Sequence, residues 1–330
     1  MSQTTKKEYD KLIRELNFVE LNSIKKDYEN GRFVVRGVVN RRDVLLKIIP
    51  NTDIQKIESL KKEFMIDRLL DKHNKNLSLP MVAKANVIEM GHNNIFTWVI
   101  RRYYAGSSLS DYKPNKNPLY GYDIVKNKFL FKGNKIIPQI VENEFSLAKM
   151  TKDFRVLGIK KETIKRRYAE DLDSGNIEKL SKILSIDLSK TFEFYQKHKK
   201  EYLAKENIVA CMGDLVPANI LIKNDGQVLF SDFEWFCFDN YMVDFAFLWL
   251  FLRRYRNWQK KLVQLAVRND DDRLCFRISV IREIYWWYSK ALIEYQGPDL
   301  LDREKYYKKL IWARYLKAAG ESFEVLMKVK

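Results

Sequence analysis

"CMGDLVPANILIKNDGQVLFSDFEW", residues 211–235, contains a loop with one acid, then a hairpin, then a second acid. The turn of the hairpin is NDGQ, residues 224–227, in which Asn, Asp and Gly favour the backbone angles of a tight turn. The two acids are Asp214 in the loop and Asp232 just after the hairpin. This order of loop acid, hairpin and second acid is the pattern from which the fold prediction starts.

The register of this hairpin predicts which side chains meet at its open end. A four-residue loop pairs Lys223 with Val228, and counting outward from that pair sets Asn219 opposite Asp232. Directly opposed residues of an antiparallel pair have Cα atoms about 4.5–5.5 Å apart. Asp214 precedes Asn219 by five residues, in a loop that ends at the same place. Each residue alone fits an ordinary turn or cap, but two carboxylates and an amide oxygen together favour a hard-oxygen site of the kind that Mg²⁺ accepts.

The composition indicates a globular protein with a real core. The chain has 330 residues, of which 46% are hydrophobic and 13% aromatic, enough for two domains or one large two-lobed domain. The start, MSQTTKKEYDKL, lacks the apolar segment of a signal peptide, and the longest apolar run, Phe245–Leu252, is too short to cross a membrane. Three cysteines without metal-binding spacing fit a reducing compartment. We therefore expect a cytoplasmic protein without a transmembrane segment, a disulfide framework or a zinc site.

The formal charge of +17 admits three classes of partner: nucleic acid, an anionic membrane surface, or an acidic small substrate. Lysines occur in nearly every segment, and basic tracts with interleaved aromatics, which single-strand binders use, do not stand out. General compositional bias is the simpler explanation of the charge, and no nucleic-acid partner is expected.

The first third of the chain has the patterns of a strand-rich unit. Apolar spacing predicts a helix over 9–16, and RFVVRGVV and DVLLKII around the turn NRRD predict a hairpin over 33–49. A second helix is predicted over 53–72, and two further strands near 85–90 and 95–103.

From about residue 105 the patterns become mostly helical. Two hairpins interrupt them: KFLFKGNKIIPQ, residues 128–139, with Gly-Asn at its tip, and the hairpin within 211–235. The sequence therefore predicts an α+β protein with a strand-rich domain over 1–104 and a larger helical domain over 105–330.

The acids of the opening segment match an arrangement used for phosphoryl transfer. Kinases have a catalytic-loop Asp, an Asn five residues on, and then a metal-binding Asp followed by Phe, and here these are Asp214, Asn219 and Asp232. The chain resembles the aminoglycoside phosphotransferase and choline kinase family, whose members often show H-G-D-x-x-x-x-N and then I-D-F/W-E. The corresponding residues are MGDLVPAN, 212–219, and SDFEW, 231–235.

The resemblance covers about residues 20–255 and implies a protein-kinase-like two-lobed fold, with a small antiparallel-sheet N-lobe and a larger helical C-lobe. It also implies ATP and Mg²⁺ as cofactors. Asp214 would be the catalytic base, and Asn219 and Asp232 would bind the metal. FDNYMVDFAFLWL is similar to the family's G-D-P-x-x-D-L-A segment, which makes Asp244 the structural aspartate behind the catalytic loop.

The strand-rich domain supplies an independent set of residues for the nucleotide. Lys47 in VLLKII is a strand lysine that could bind the α- and β-phosphates if a helix glutamate holds it. Glu63 lies 16 residues further on and Glu58 lies 11 further on, and the family's spacing favours Glu63. The alternative is that Lys47 faces solvent on a two-sided sheet. VIRRYYAGSSL resembles the hinge, where the backbone groups of three residues would bind adenine: Arg102, Tyr103 and Tyr104.

Two features depart from the family pattern. A G-x-G-x-x-G phosphate loop is absent, and only Gly31 precedes the second strand. Met212 stands where the family has a His that packs behind the loop without acting as the base, so an apolar residue could fill its place. Because of these departures, a pseudokinase that binds nucleotide without turnover is the alternative function.

The acceptor is expected to be a small molecule with a hydroxyl group, such as an aminoglycoside, choline or another amino alcohol, or a sugar. Glu234 and Asp239 are candidates to bind it. The aromatic stretch 281–295 could form a cage for a cationic amine or simply face the core of a helix. Basic segments within 113–190 would suit a lipid-linked glycan at an anionic surface or are solvated helix faces. The sequence leaves the acceptor, the choice between ATP and GTP, and the oligomeric state open.

Overall fold

The computed structural model describes residues 3–27, 29–76, 87–110, 125–158 and 189–295, together with residues 178, 181 and 187. The chain divides into two compact units. The first contains Met1–Ser107 and the later segment Lys223–Glu234, and the second contains Ser108–Ile222 and Trp235–Lys330.

The first unit contains a five-stranded antiparallel sheet with the strand order β1-β2-β3-β5-β4. The strands are β1 (Val19–Asp27), β2 (Arg32–Val39), β3 (Arg42–Pro50), β4 (Val87–His92) and β5 (Phe96–Arg102). Helix α1 (Gln3–Glu15) precedes the sheet, and α2 (Ile54–Asn76) connects β3 towards β4. The predicted helices and strands of this region are present, and the hairpin and β5 agree with the prediction within one residue at their outer ends, whereas α1 begins well before the predicted start and β1 was not predicted.

Alternation along the strands gives this sheet two different faces. In β3, Leu46 and Ile48 are buried in one apolar cluster with Tyr9 and Leu12 of α1. The residue after Ile48, Ile49, lies on the other face, in a cluster with Leu60 of α2. Lys47 shares this second face because side chains two apart on a strand point the same way. The amphipathic spacing of α1 and the period of β3 therefore determine which face receives the lysine.

The turn between β2 and β3 has the backbone conformation that a tight β-hairpin requires. Asn40 and Arg41 both have positive φ, 48° and 62°, as a two-residue type I′ turn between β2 and β3 requires. This agrees with the hairpin predicted around NRRD. Strand β1 gave no clear alternation in the sequence because its pairing with β2 shifts register twice, between Glu20 and Asn22 and between Ser23 and Lys25.

The second unit is mainly helical in the part that the structure describes. Its helices there are α3 (Gly133–Lys149), α4 (Thr151–Val156), α5 (Ser189–Tyr202), α6 (Val243–Phe251), α7 (Arg256–Ala266) and α8 (Asp270–Tyr295). Strands β7 (Ile208–Cys211) and β10 (Cys237–Asn240) form an antiparallel pair. The remaining short strands of the chain are β6 (Gly106–Ser108), β8 (Ile220–Lys223) and β9 (Val228–Phe230), of which β9 belongs to the first unit. Helix α6 is buried along its whole length, as expected for the apolar run that contains it.

The hairpin predicted over 128–139 is wrong. The segment forms a 3₁₀ turn, Asn127–Lys132, and then the start of α3, with Pro138 inside the helix. Gly133 takes helical angles, and an added Cβ there would lie 2.8 Å from the indole nitrogen of Trp258. The Gly-Asn pair therefore permits close packing against Trp258 instead of forming a turn. Ile136 and Ile140, four residues apart, are buried, so packing of a helical face overrides the local turn signal.

The turn of the opening hairpin is one residue shorter than predicted. The N–H of Lys223 donates to the carbonyl of Gln227 (2.9 Å), and the N–H of Gly226 donates to the carbonyl of Lys223 (2.9 Å). Gly226 has φ 87°, so a three-residue loop with a left-handed glycine closes the hairpin. The predicted pairing of Lys223 with Val228 is therefore wrong by one residue. The prediction that Asn219 lies opposite Asp232 was counted from that pairing, so the observed register does not support it.

Two sequence predictions fall on parts that are not described. The side chains of the aromatic stretch from residue 284 onward, and most of the basic segments in 113–190, lie outside the described residues. In the parts of the chain that are described, no helix is both long enough and apolar enough to cross a membrane.

Candidate active site

The strand lysine and its predicted glutamate are in contact. Lys47 Nζ lies 3.0 Å from Glu63 Oε1, and the Glu63 side chain is fully buried. Glu58, the other candidate, is exposed and pairs with Lys61 one turn along the helix. Burial alone would raise the pKa of Glu63, but Arg101 and Lys47 outweigh it and lower the pKa to about 2. The same contact helps to raise the pKa of Lys47 despite its burial, so both groups are charged at neutral pH.

Asp232 lies near this pair. Its backbone has φ 68°, a left-handed conformation that costs a non-glycine residue about 1–2 kcal/mol. Among the described residues its buried Oδ1 has no hydrogen-bond partner. Burial, together with Glu63 and Glu234, outweighs Lys47 and raises the pKa of Asp232 to about 6. A buried carboxylate held in a strained conformation without a donor for one oxygen fits a cation ligand.

Glu63, Asp232 and Glu234 each offer a carboxylate oxygen, and these oxygens all lie within 4.8 Å of one another. Glu63 is held by Lys47, and Glu234 forms an ion pair with Lys56 of α2. Asp232 is therefore the member of this group whose oxygen is best suited to a metal ion. The oxygen donor set fits Mg²⁺, which prefers carboxylate ligands and water.

The catalytic-loop segment is fixed inside the second unit. Gly213 donates its N–H to both oxygens of Asp244, at 2.9 and 3.2 Å. The Asn219 amide nitrogen donates to Asp214, at 2.9 Å to the carbonyl and 2.9 Å to Oδ2. Because the nitrogen is used in this way, the atom that Asn219 could offer a metal ion is its Oδ1. Met212, in the place of the family's His, is fully buried.

A second buried carboxyl group, that of Glu144, contacts Asp244. Glu144 of α3 is 5% exposed, and its side chain hydrogen-bonds with Asp244. Burial and Asp244 raise the pKa of Glu144 well above its usual value. Glu144 is therefore the protonated member, and it donates to an Asp244 carboxylate that also accepts from the loop.

The hinge candidates lie where β5 ends. The N–H of Tyr103 donates to the carbonyl of Asp43 (3.0 Å), which makes Val44 and Arg102 a pair without direct hydrogen bonds. The backbone groups of Arg102 therefore point away from β3. The guanidinium of Arg36 lies over the Tyr103 ring at 4.1 Å. The Tyr103 N–H is thus used within the sheet, which leaves the backbone of Arg102 and Tyr104 as the better candidates for adenine.

The two acceptor candidates have different surroundings. Asp239 is fully buried, and its two oxygens lie 3.0 and 3.2 Å from the guanidinium nitrogens of Arg282. Asp239 therefore has no exposed surface for an acceptor, and the ion pair favours a structural role. Glu234 is partly exposed and pairs with Lys56, so it retains contact with solvent.

Sequence reasoning did not identify three charged residues of these sites. They are Arg101, Asp67 and Glu144. Arg101 could have been found from the strand period, since it lies two residues after buried Val99, which is paired with Lys47. Asp67 lies one helical turn after Glu63, and that spacing is also visible in the sequence. No local sequence pattern indicated a role for Glu144, because its partner, Asp244, is distant in the chain.

Together, these two units define the two-lobed protein-kinase-like fold: an antiparallel sheet with a buried Lys-Glu pair, and a helical unit whose Asp loop is held by a buried aspartate. Solved structures of aminoglycoside phosphotransferases and of a choline kinase share this fold. Neither the family models nor the curated proteins give a match to this chain.

Three solved structures illustrate the likeness. The GDP and kanamycin complex of APH(2")-IIia is 15% identical with a TM-score of 0.61, covering 96% of this chain and 98% of that one. The GDP complex of aminoglycoside 2'-phosphotransferase-IIIa is 14% identical with a TM-score of 0.59, covering 97% and 99%. Choline kinase LicA from Streptococcus pneumoniae is 16% identical with a TM-score of 0.52, covering 97% and 100%. At such identities the likeness shows the fold, and the fold expected from the sequence is confirmed.

Proposed function

We propose that the protein is an ATP- and Mg²⁺-dependent phosphotransferase that moves the γ-phosphate to a hydroxyl group of a small molecule. The observation that carries this proposal is the buried Lys47–Glu63 ion pair beside Asp232, whose buried Oδ1 has no hydrogen-bond partner in the described residues. A structural ion pair alone would not require a second, strained carboxylate without a donor.

The proposed roles follow the chemistry of each side chain. Lys47, held by Glu63, binds the phosphates of the nucleotide, and Arg102 and Tyr104 contact adenine through their backbone. Asp232 and Asn219 would hold Mg²⁺, which neutralises charge on the phosphate oxygens when it is bound. Asp214 orients the acceptor hydroxyl and accepts its proton as the oxygen–phosphorus bond forms and the bond to the leaving diphosphate oxygen breaks.

Three observations support a rigid frame for Asp214. Asn219 donates to its carboxylate, Gly213 is tied to Asp244, and Val216 and Ala218 pack on Phe247 and Phe251 of α6. A base that is fixed by its neighbours loses less entropy when the acceptor binds, which favours direct in-line transfer.

The acceptor class is proposed from the same fold and site. Aminoglycosides, choline and other amino alcohols, and sugars are the first hydroxyl compounds to screen, with Glu234 as the partly exposed acid that could contact them. A lipid-linked glycan at an anionic surface is the second class to test. We place the protein in the cytoplasm, because Cys211 and Cys237 lie directly opposite each other in β7 and β10 and both are free thiols.

The first experiment measures thermal stability with ATP alone, Mg²⁺ alone, and both. A ligand that binds only the folded state raises the midpoint, so a shift that requires both would support the nucleotide site. No shift at millimolar ATP would instead indicate that the fold is retained without a working nucleotide site. A shift without phosphate transfer to any acceptor would support the pseudokinase, which the missing glycine-rich loop and Met212 favour.

Two variants then separate binding from chemistry. Asp214→Asn should keep the shift with Mg-ATP and lose most turnover, because it removes only the base. Asp232→Ala should lose the Mg²⁺-dependent part of the shift. Asp270→Asn, a fully exposed aspartate at the start of α8, is the matched control and should change neither property. Near-normal turnover of Asp214→Asn, or unchanged Mg-ATP affinity of Asp232→Ala, would contradict the corresponding role.

A further inference from the structure

Arg101 is a second buried cation next to the proposed phosphate-binding lysine. In the register of β3 with β5, Leu45 is opposite Arg101 and Lys47 is opposite Val99. Lys47 and Arg101 are therefore diagonal neighbours on the sheet face that α2 covers. The Arg101 side chain is only 14% exposed, so its charge requires partners inside the protein.

Two carboxylates of α2 provide those partners. Glu63 binds Lys47 through Oε1, 3.0 Å away, and binds Arg101 through Oε2. Asp67, one helical turn further on, has Oδ2 3.2 Å from the same guanidinium nitrogen, without the alignment of a hydrogen bond. Glu63 and Asp67 are both fully buried. One arginine thus contacts helix α2 at two successive turns.

We propose that Arg101 is a positioning residue that docks α2 on β5 through Glu63 and Asp67 and so fixes the carboxylate that holds Lys47. The inference rests on the proposed function, since Lys47 matters here as the phosphate-binding group. Lys47 alone can hold one oxygen of Glu63 and leaves the carboxylate able to turn about that contact. A second cation on the other oxygen fixes the carboxylate in both position and orientation.

The charges around α2 explain why an arginine is suited to this place. Without Arg101, Glu63 would keep Lys47 as its only cation, and Asp67, whose pKa burial already raises to about 7, would take up a proton, so that α2 would lose both of its contacts with Arg101. A planar guanidinium can contact two carboxylates at once, whereas a lysine ammonium is a compact point charge. The Glu63 carboxylate, held by a cation on one oxygen only, would then position Lys47 less firmly for phosphate oxygens.

The test uses a double variant, because Arg101→Met alone leaves Asp67 buried without its cation and could prevent folding. Arg101→Met with Asp67→Asn removes one charge of each sign. The controls are Asp67→Asn alone, which keeps the contact between Arg101 and Glu63, and Arg68→Met, which removes an exposed arginine of the same helix. Arg101→Lys, which retains the charge but reaches one carboxylate, is the second variant if the double variant does not fold.

Two readouts are measured on the full chain: amide hydrogen exchange in α2, and the dissociation constant for Mg-ATP. For the double variant we expect faster exchange in α2 with unchanged exchange in α1, and at least a tenfold weaker affinity for Mg-ATP. Arg101→Lys should show the same changes to a smaller extent. Asp67→Asn, which loses one of the two docking contacts, should lie between the wild-type protein and the double variant, and Arg68→Met should match the wild-type protein.

The other possible results contradict the proposal in different ways. Unchanged exchange in α2 would overturn it, and weaker nucleotide affinity with unchanged exchange would mean that Arg101 contacts the nucleotide itself. Faster exchange with normal affinity would show that docking of α2 does not position Lys47, which also overturns it. If the wild-type protein does not bind Mg-ATP, the proposed function fails separately, and the exchange measurement alone decides whether Arg101 docks α2.

Discussion

Gly213→Ala is the substitution whose effect can be worked out most fully. Gly213 has φ 80°, and a Cβ at this position would lie 2.8 Å from the carbonyl carbon of Trp235, closer still to its oxygen, and 3.3 Å from Cys237 Sγ. The two nearest atoms belong to backbone, which cannot rotate away as a side chain can. A left-handed alanine costs about 1–2 kcal/mol before any contact is counted.

The contact adds a second cost. Ordinary carbon–carbon separation is about 3.5 Å or more, so the loop must move away from Trp235 by at least roughly 0.7 Å to relieve the 2.8 Å contact, and by more to relieve the contact with the oxygen. That movement strains the hydrogen bond from the one N–H of Gly213, which both oxygens of Asp244 share, and a hydrogen bond to a charged group contributes about 1.5–3 kcal/mol. The two costs together predict a loss of roughly 2.5–5 kcal/mol in the free energy of unfolding.

Gly158→Ala is the matched control. Gly158 also has positive φ, 65°, but no described atom lies within 4 Å of its added Cβ. Urea unfolding should therefore show a loss of about 1–2 kcal/mol for Gly158→Ala and clearly more for Gly213→Ala. Displacement of the neighbouring Asp214 by about 1 Å should also reduce turnover roughly 100-fold. Equal loss of stability in the two variants, with normal turnover of Gly213→Ala, would refute the reasoning.

Three further predictions concern buried charges and the metal. Because the folded protein holds the proton of Glu144 more tightly than the unfolded chain does, the free energy of unfolding should fall as the pH rises above the usual carboxyl value of 4.5. Glu144→Gln, which still donates to Asp244, should reduce this slope in urea titrations between pH 5 and 8, where Asp232 contributes a slope of the same sign, and exposed Glu142→Gln should leave the slope unchanged. Arg282→Met should cost about 3–5 kcal/mol by leaving Asp239 buried without its cation, and adding Asp239→Asn should recover part of that loss in the same unfolding assay. Chelation of divalent ions with EDTA should abolish the thermal stabilisation by ATP, and stabilisation that persists would argue against a metal ligand role for Asp232.

The sheet and its lysine could be predicted because short-range patterns determine them. Strand period places Lys47 on the face opposite Leu46, whereas the choice of Glu63 over Glu58 as its partner came from the spacing of the family that the chain resembles. Local sequence patterns likewise placed Asp214 before Asn219 in one loop. The structural role of Asp244 came from the resemblance and stays a prediction, and in the structure Asp244 accepts the N–H of Gly213.

The remaining features depend on contacts between residues far apart in the chain, which local sequence patterns do not predict. The importance of Arg101 follows from the pairing of β5 with β3, which joins segments separated by a helix. Gly133 was interpreted as a turn residue because nothing near it in the sequence indicates the indole of Trp258. The register error at Lys223 has a smaller cause, since three- and four-residue loops around Asn-Asp-Gly use the same residue types.

The membership of Lys223–Glu234 in the first compact unit affects how the protein can be made. A ribosome releases Met1–Ser107 first, but that stretch still lacks the segment that carries Asp232 until all of Ser108–Ile222 has been synthesised. The amino-terminal unit therefore cannot complete its own folding before most of the second unit has emerged, in contrast to the usual sequence of one finished domain after another. An expression fragment that stops near residue 107 would for the same reason be an incomplete unit, so dissection of this protein at its apparent lobe boundary should yield an unstable product.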